Sequence, residues 1–600
     1  MNAVHRSEFD PIILEVLRNR VTVIADEMQA ALIRSAFSII VKEGGDCGVA
    51  VFDAAGNLIS SANALPANLG ILTTSVNRII EDYPAATMRD GDAYIFNDPY
   101  EGGTHLPDVA IIVPIVHEGK TVAISAAISH QQDFGGMVQG SMPPDSTEIF
   151  QEGLILPPCK IVSQGELNTD LMRLILKNVR MPNHTRGDLR ALMAACDVGR
   201  RRFLETIEEY GLETVESYLA ELANRAEQQA REKIEAIPDG VYRFVDYLDN
   251  DGIDLETRHK IEVAVTVSGS EMHFDFTGTG PQMRGSANSA YSGPIACAYY
   301  VAHCVYGSDV PNNAGCYRPL SLNVPKGTLL NPEHPAALCS RTMTLYRTLD
   351  SIFGALMQAI PTQLRAASGG SEGVSISGRR GSDNSAYVYV ELFAAGMGAR
   401  PTKDGVEYIE TDTTNMLNTP IEALELEYPV RIHQLLLRED GGGAGRFRGG
   451  VGLIKEFEIL DGQTEITHRG DRFFTQPWGL LGGRPGQSWS TTINRRNGET
   501  FSVPARMRFK LNAGDRMLCL TAGGGGYGDP LDRDVLAVVN DVKDRKVSRQ
   551  SALDDYGVVI DETTGGHDEQ ATAKRREELA QARGPVTWTF DRGGDLGLQA

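Results

Sequence analysis

The feature that most constrains the fold is a pair of β-branched runs separated by a short polar segment. The runs are VAIIVPIV at 109–116 and TVAISAAI at 121–128, and the segment HEGK at 117–120 lies between them. Two such runs around a short turn predict an antiparallel β-hairpin. In this pairing, positions whose numbers sum to about 237 or 238 face each other.

The expected register places candidate metal ligands at the open end of the hairpin. Asp108 is expected opposite Ser129 or His130, and His105 precedes Asp108 in a glycine-rich approach loop at 102–104 that can fold back. His105, Asp108 and His130 can therefore converge without help from the rest of the chain. Two imidazoles and a carboxylate suit a divalent transition metal with open positions. The alternative is that they are ordinary surface residues at strand ends.

Two further acidic residues are candidates for the same site. Asp46 lies in a glycine-flanked loop before a predicted strand at 49–52, so it is either a turn residue or a carboxylate ligand from a second element. Asp133 follows His130 by three positions. We expect it to accept a hydrogen bond behind the ligands or to act as a general base, with capping of the following glycine pair as the alternative.

Length and charge narrow the functional classes. A chain of 600 residues is too long for one hydrophobic core, so two to four domains are expected. The net charge of −22 argues against nucleic acid or an anionic membrane as a partner. The sequence has no apolar run long enough to span a membrane and no apolar segment near its start, so we expect a cytoplasmic protein. Eight scattered cysteines without a C-x-x-C pair predict free thiols.

The succession of elements predicts an α+β multidomain protein. Helical periodicity is found at 11–37, 68–83, 171–179, 186–197, 289–306, 341–358 and 532–544, with a pair of helices at 199–237 and an exposed charged helix or tail at 567–583. The expected parts are an N-terminal α/β domain with the metal site, the β-hairpin and a helical segment (1–238), a mixed α/β middle domain (239–375), a glycine-rich β domain (376–531) and a C-terminal helix and tail (532–600).

Glycine clusters at 441–452, 479–486 and 523–526 do not match phosphate-binding motifs. The string G-x-x-x-x-G-K-[ST] does not occur, and no cluster has the strand-to-helix context of a dinucleotide fingerprint. We expect tight turns and bulges in which glycine takes a positive φ. The chain is not expected to bind ATP through a motif of its own, and it lacks the G-x-S-x-G elbow of serine hydrolases.

Eight short strings, in order along nearly the whole chain, carry a family resemblance. They are DPI (10–12), NDPY (97–100), GGTHLPD (102–108), SH (129–130), FDFTGT (274–279), GRFRGG (445–450), PWGLLGG (477–483) and GGGYGDPL (524–531). By these strings the chain resembles the B-type, alpha-like subunits of the hydantoinase B/oxoprolinase/acetone (acetophenone) carboxylase family.

The resemblance implies a partner, cofactors and site residues. It implies a larger A-type ATP-binding subunit in a hetero-oligomer, with ATP and magnesium on that partner, which phosphorylates the carbonyl oxygen of a small substrate. The family's metal position falls on His105, Asp108 and His130, and Asp46 matches a nearby acidic position. The surroundings of Asp46 at 42–46 depart from many relatives. One divalent metal is implied, and zinc, manganese and iron all suit this ligand set.

Three functions fit these expectations. The first, which we favour, is the metal-bearing subunit of an ATP-dependent cyclic-amide hydrolase for hydantoin, lactam or oxoproline-like rings, in which water attacks the activated substrate. The second is a subunit of a ketone carboxylase that uses bicarbonate or CO₂, often with a small third subunit. The third is a non-catalytic scaffold, against which the intact triplet of His105, Asp108 and His130 speaks.

Overall fold

The computed structural model describes residues 9–62, 66–561, 563–587 and 589–594. Its α-helices are α1 (Pro11–Ser35), α2 (Ile39–Lys42), α3 (Pro66–Asp82), α4 (Thr169–Asn178), α5 (Pro182–Tyr210), α6 (Leu212–Glu235), α7 (Ser292–Tyr306), α8 (Ala314–Tyr317), α9 (Arg341–Leu356), α10 (Ile421–Glu427), α11 (Val535–Lys543), α12 (Arg549–Asp554) and α13 (Glu569–Arg583). The predicted α+β class is confirmed.

The strands form four larger sheets and one short pair. They are β1 (Cys47–Asp53), β2 (Leu58–Ser61), β3 (Ala93–Phe96), β4 (Asp108–His117), β5 (Lys120–His130), β6 (Cys159–Ser163), β7 (Glu166–Leu167), β8 (Gly240–Leu248), β9 (His259–Ser268), β10 (Glu271–Asp275), β11 (Leu320–Asn323), β12 (Ser371–Arg379), β13 (Ala386–Ala394), β14 (Val430–Leu437), β15 (Leu453–Ile459), β16 (Gln463–Arg469), β17 (Gly479–Leu480), β18 (Ser490–Asn494), β19 (Thr500–Val503), β20 (Arg506–Asn512), β21 (Arg516–Leu520) and β22 (Phe590–Asp591). The sheet orders are β2-β1-β5-β4-β3-β6-β7, β11-β10-β9-β8, β13-β12-β16-β20, β14-β15-β21-β18-β19 and β17-β22.

The predicted hairpin is confirmed as β4 and β5, at the centre of the seven-stranded sheet. Asp108 faces His130, so the numbers of paired residues sum to 238 as expected, and a bulge changes the sum to 237 near the turn. The turn itself is two residues long. Glu118 and Gly119 have φ values of 48° and 78°, the positive pair that favours the right-handed twist of a hairpin.

Both faces of this sheet are buried, which explains the continuous apolar runs. Along β4, Val109 and Ile111 belong to one buried cluster with residues of α1 and α5. The alternate residues Ala110 and Ile112 belong to another buried cluster with residues of α3. A strand covered on both sides needs no polar face, so its sequence does not alternate. The open end of the hairpin is therefore held in a rigid core.

In the helical segment before β8, the break between helices lies at a different position from the predicted one. We expected a helix at 186–197 and a pair from 199 to 237, but α5 runs without interruption through Gly199 to Tyr210. A Cβ at Gly199 would lie 2.5 Å from the Met28 sulfur, so this glycine permits close helix packing and does not end the helix. The break lies at Gly211, with φ of 81°. The charged segment near the C-terminus is an exposed helix, α13, as predicted.

The glycine clusters correct a second prediction. Glycines within 441–452 and 523–526 have no positive φ, whereas Gly482 does. Instead, extended chains lie backbone against backbone: a Cβ at Gly524 would stand 2.0 Å from the carbonyl oxygen of Met397. The N–H groups of these glycines donate to carbonyl oxygens of neighbouring segments of the same chain. Glycine is therefore needed here so that the segments can lie close together, and not to form a turn.

The division into four domains stays a prediction. The change from helix to strand between α6 and β8 falls where we expected the first boundary, at 238/239. One cluster of buried residues nevertheless extends across it, from Ile112 on β4 to Val263 on β9 and Leu349 on α9. The two sides of this boundary therefore share a core.

Two further expectations concern thiols and membranes. All eight cysteines are free, as predicted. Within the described ranges, no helix combines the length and apolar character that crossing a bilayer requires.

Candidate metal centre

Three side chains meet at the open end of the hairpin. The Nε2 atom of His105 lies 3.0 Å from Oδ1 of Asp108 and 3.2 Å from Nδ1 of His130. Nδ1 of His130 lies 3.0 Å from the same Asp108 oxygen. All three residues are at most 5% exposed. The sequence-predicted triplet thus forms one compact, buried group.

Strand pairing and loop hydrogen bonds place the three residues. Asp108 begins β4 and His130 ends β5, so the hairpin register alone brings these two together. His105 comes from the approach loop, which folds back as predicted: the Asp108 N–H donates to the His105 carbonyl at 3.0 Å. The Asn97 amide supports that loop by donating to the Leu106 carbonyl at 2.7 Å.

His105 has a defined tautomer that suits a metal ligand. Its Nδ1–H donates to the Cys339 carbonyl at 3.2 Å, because a carbonyl can only accept. Nε2 is left with a lone pair that faces Asp108 and His130. Burial, helped by the positive charge of Arg341, lowers the pKa of His105 to about 4, which keeps the imidazole neutral. Neutral imidazole is the metal-binding form.

Asp108 is held ionised and oriented by an arginine. One nitrogen of the Arg341 guanidinium donates to Oδ2 of Asp108 at 2.5 Å, and another donates to the Thr104 hydroxyl. Burial alone would raise the pKa of Asp108, but His105 and Arg341 hold it well below its usual range. Because Arg341 occupies Oδ2, Oδ1 remains free toward the two histidines.

The donor set fits a divalent metal ion. His105 Nε2 and Asp108 Oδ1 are both acceptors and face each other at 3.0 Å, a contact that requires a cation or a proton between them. Ligand atoms in a tetrahedral site with metal distances of about 2.0–2.1 Å stand about 3.3 Å apart, close to the separations found here. Nε2 of His130 is buried without a hydrogen-bond partner. Among the described residues, this is the one His/Cys/Asp/Glu group compact enough to hold a metal ion.

Asp46 lies beside this group without belonging to it. Its backbone carbonyl accepts from the His130 N–H at 3.1 Å, so the 44–46 loop borders the site. Burial, reinforced by the negative charge of Asp108 and partly opposed by Arg341, raises the pKa of Asp46 to about 6. The compact group of ligand atoms does not include its carboxylate. Its role as a ligand or base stays a prediction.

Asp133 has hydrogen-bond donors on both carboxylate oxygens. It accepts from the N–H groups of Gly135 and Gly140 at 3.2 and 3.0 Å. Arg180 donates to it through its backbone N–H at 2.8 Å and through its guanidinium at 3.0 Å. These bonds match the loop-capping alternative, and the role of Asp133 as a base stays a prediction.

Sequence reasoning did not find the residues that surround the ligands. Arg341 is the first residue of a helix that was predicted, but nothing in its local pattern relates it to Asp108. Cys339 contributes only a carbonyl, which no sequence motif can mark. Glu152, buried behind Cys339, lies in an irregular segment and was also missed.

Comparison with known proteins identifies the family. The family model described as Hydantoinase B/oxoprolinase matches residues 10–530. The chain belongs to this family. The resemblance inferred from the eight strings is thereby confirmed.

Relatives of this chain with named activities are enzymes or enzyme subunits. The B-type subunit of a putative D-/L-hydantoinase from Pseudomonas sp. (strain NS671) is 32% identical over 582 residues, which cover 93% of this chain and 97% of the relative. The crystal structure of the ATP-dependent caprolactamase from Pseudomonas jessenii has a TM-score of 0.88 at 30% identity, and the match covers 95% of this chain and 100% of that chain.

A third likeness extends to a carboxylase. The nucleotide-free structure of an ATP-dependent acetone carboxylase has a TM-score of 0.87, and the match covers 96% of this chain and 84% of that chain. The identity is 21%, so this likeness shows the shared fold.

Proposed function

We propose that this chain is the metal-bearing B-type subunit of an ATP-dependent cyclic-amide hydrolase. Its substrates would be hydantoin, lactam or oxoproline-like rings, activated by an A-type partner subunit that carries ATP and magnesium. The observation that carries the proposal is the convergence of His105 Nε2, Asp108 Oδ1 and His130 Nδ1 within a buried group. The hydantoinase and caprolactamase relatives, at 32% and 30% identity, support the substrate class.

The side chains around the site have separate tasks. One divalent ion, zinc, manganese or iron, would be held by His105, Asp108 and His130, and it supplies the Lewis acidity that makes water nucleophilic near neutral pH. Arg341 keeps Asp108 ionised and fixes which oxygen faces the site. The Cys339 carbonyl keeps the Nε2 lone pair of His105 available. Because these groups are buried, their mutual interactions are stronger than in water.

Hydrolysis requires the activated carbonyl carbon to meet water rather than another nucleophile. Amide resonance makes the free substrate a poor electrophile, and phosphorylation of its oxygen by the partner removes that resonance. We place Asp46 beside the reacting water as a further ligand or a base, because its loop borders His130. We assign Asp133 a supporting role, because its bonds to Arg180 stabilise the loop that follows β5.

The alternative function is that of a ketone carboxylase subunit. The likeness of this chain in fold to an acetone carboxylase is the observation that keeps this alternative open. In that case the same site would polarise CO₂ or a carboxyphosphate for an enol phosphate to attack, and a small third subunit would complete the complex. Free thiols in all eight cysteines support our proposal of a cytoplasmic protein for either activity.

The test is an activity assay on the assembled complex. The chain is purified with its A-type partner, and ATP hydrolysis is measured with hydantoins, lactams or ketones, each with and without bicarbonate. We expect stimulation by a cyclic amide, independent of bicarbonate, together with ring-opened product. Stimulation by a ketone only when bicarbonate is present would replace the hydrolase with the carboxylase. A complex that binds metal but turns over neither class would favour the scaffold.

A further inference from the structure

We propose that Glu152 is a positioning residue of the metal centre, although it touches none of the three ligands. It acts through the backbone of residues 338–341, which we name the ligand strap. This inference rests on the metal site of the proposed function and extends it to a residue outside that site.

Glu152 holds the ligand strap through one carboxylate oxygen. Its Oε1 accepts from the backbone N–H groups of Leu338 and Cys339, both at 3.0 Å. The Ser146 hydroxyl donates to the same oxygen at 2.7 Å. Glu152 is fully buried, and its second oxygen has no hydrogen-bond partner. A buried acceptor with three converging donors restricts the position of the peptide units that it binds.

The ligand strap in turn orients two of the three ligands. The Cys339 carbonyl accepts from Nδ1 of His105, and Arg341, two residues further on, donates to Oδ2 of Asp108. A shift of the peptide between Leu338 and Cys339 would therefore turn the His105 ring and release the carboxylate of Asp108 together.

The segment that carries Glu152 is tied to the other side of the site. The Leu154 N–H donates to the Phe134 carbonyl at 2.9 Å, and the Met137 N–H donates to the Gln151 carbonyl at 2.7 Å. Residues 134–137 closely follow His130 and are capped by Asp133. Glu152 thus connects the chain after His130 with the ligand strap that orients His105 and Asp108.

The inference makes a specific prediction about side-chain length and charge. Glutamine at position 152 has the same reach and retains an acceptor oxygen, whereas aspartate retains the charge but is shorter. If the length of the Glu152 side chain is what matters, Glu152→Gln should bind the metal with an affinity within about 3-fold of the wild-type value. Glu152→Asp and Glu152→Ala should weaken it about 10- to 100-fold, as loss of a group behind metal ligands does. If it acted by charge, aspartate would perform better than glutamine.

The experiment measures metal affinity in the complex with the A-type partner, by competition with a chelator for Zn²⁺. The absorption spectrum of the Co²⁺-loaded protein reports ligand geometry independently of activity. Glu391→Ala is the matched control, because Glu391 is also buried but pairs with Lys455 in another sheet. We expect its affinity and spectrum to equal those of the wild type.

Three results would overturn the inference. These are wild-type affinity and spectrum in Glu152→Asp, an equal loss in Glu391→Ala, or a better site with aspartate than with glutamine. If Glu152→Ala does not fold, the comparison of aspartate with glutamine decides alone. A wild-type complex that binds no metal would instead refute the proposed function itself, so the two failures are distinguishable.

Discussion

At the scale of single residues, the centre is defined by which atoms are left without protons. His105 donates its Nδ1–H away from the site, Asp108 is kept ionised by Arg341, and Nδ1 of His130 faces the same Asp108 oxygen. These states direct acceptor atoms of His105 and Asp108 at one point, beside the His130 ring. The chemistry thus depends on the partners of each ligand as much as on the ligands.

The first prediction concerns His105. We expect His105→Ala to lose the bound metal and to abolish turnover while the complex with the partner still assembles, because two ligands without the third form a weak site. Elemental analysis of the purified complex measures the metal. His117→Ala, at the far end of β4, is the matched control and should keep full metal content. Stoichiometric metal in His105→Ala would contradict the assignment.

The second prediction separates the two roles considered for Asp133. Its four hydrogen bonds indicate loop capping, so Asp133→Asn should lower thermal stability and reduce kcat less than about 10-fold, since loss of a general base costs about 10²- to 10⁴-fold. The measurements are a melting curve and steady-state kinetics of the same complex. A loss of kcat above about 100-fold with unchanged stability would assign Asp133 as the base.

At the scale of elements, the glycine-rich region is a packing device built from backbone. Its backbone segments lie so close together that no side chain fits between them.

The third prediction tests this packing. Gly524→Ala should destabilise the protein by about 3 kcal/mol or more, because its Cβ would overlap the carbonyl oxygen of Met397. Denaturant unfolding measures the change. Gly594→Ala, where the added Cβ meets nothing within 4 Å, should be neutral; equal effects at both positions would refute the packing argument.

At the scale of the whole molecule, distant segments meet around a buried carboxyl group near the metal centre. Glu410 is buried, and the chain that follows it contacts the Asp46 loop, since the Leu417 N–H donates to the Gly44 carbonyl at 2.9 Å. Burial, reinforced by the charge of Asp46, raises the pKa of Glu410 to about 7.

The fourth prediction is a pH dependence of stability. Because the folded-state pKa of Glu410 lies above its ordinary value of 4.5, the folded chain holds a proton that the unfolded chain releases between these values. The contribution of Glu410 to stability is therefore present at low pH and lost as pH rises through about 7. We expect the stability of Glu410→Gln, compared with that of the wild type, to be higher at about pH 8 than at about pH 5. Melting curves at the two pH values measure this difference. A difference that does not change with pH would contradict this.

Local pattern was sufficient to predict the hairpin and the convergence of His105, Asp108 and His130. Register in a hairpin depends on residues a few positions apart, so the sum rule placed Asp108 against His130, and the glycine loop returned His105 to them. Helix ends were predicted within a few residues for the same reason. The continuity of α5 was missed, because the prediction ended one helix at 197 and began the next at Gly199, whose close packing against Met28 appears only in the folded protein.

Long-range contacts account for everything else at the centre. Arg341 stands 233 positions from Asp108, and Cys339 stands 234 positions from His105. No periodicity or spacing connects such pairs, since they meet only when the start of helix α9 reaches the open end of the hairpin. The chain's own order of residues therefore specified which atoms could bind a metal. Folding specified their charge, tautomer and orientation, because those depend on groups that only packing brings near.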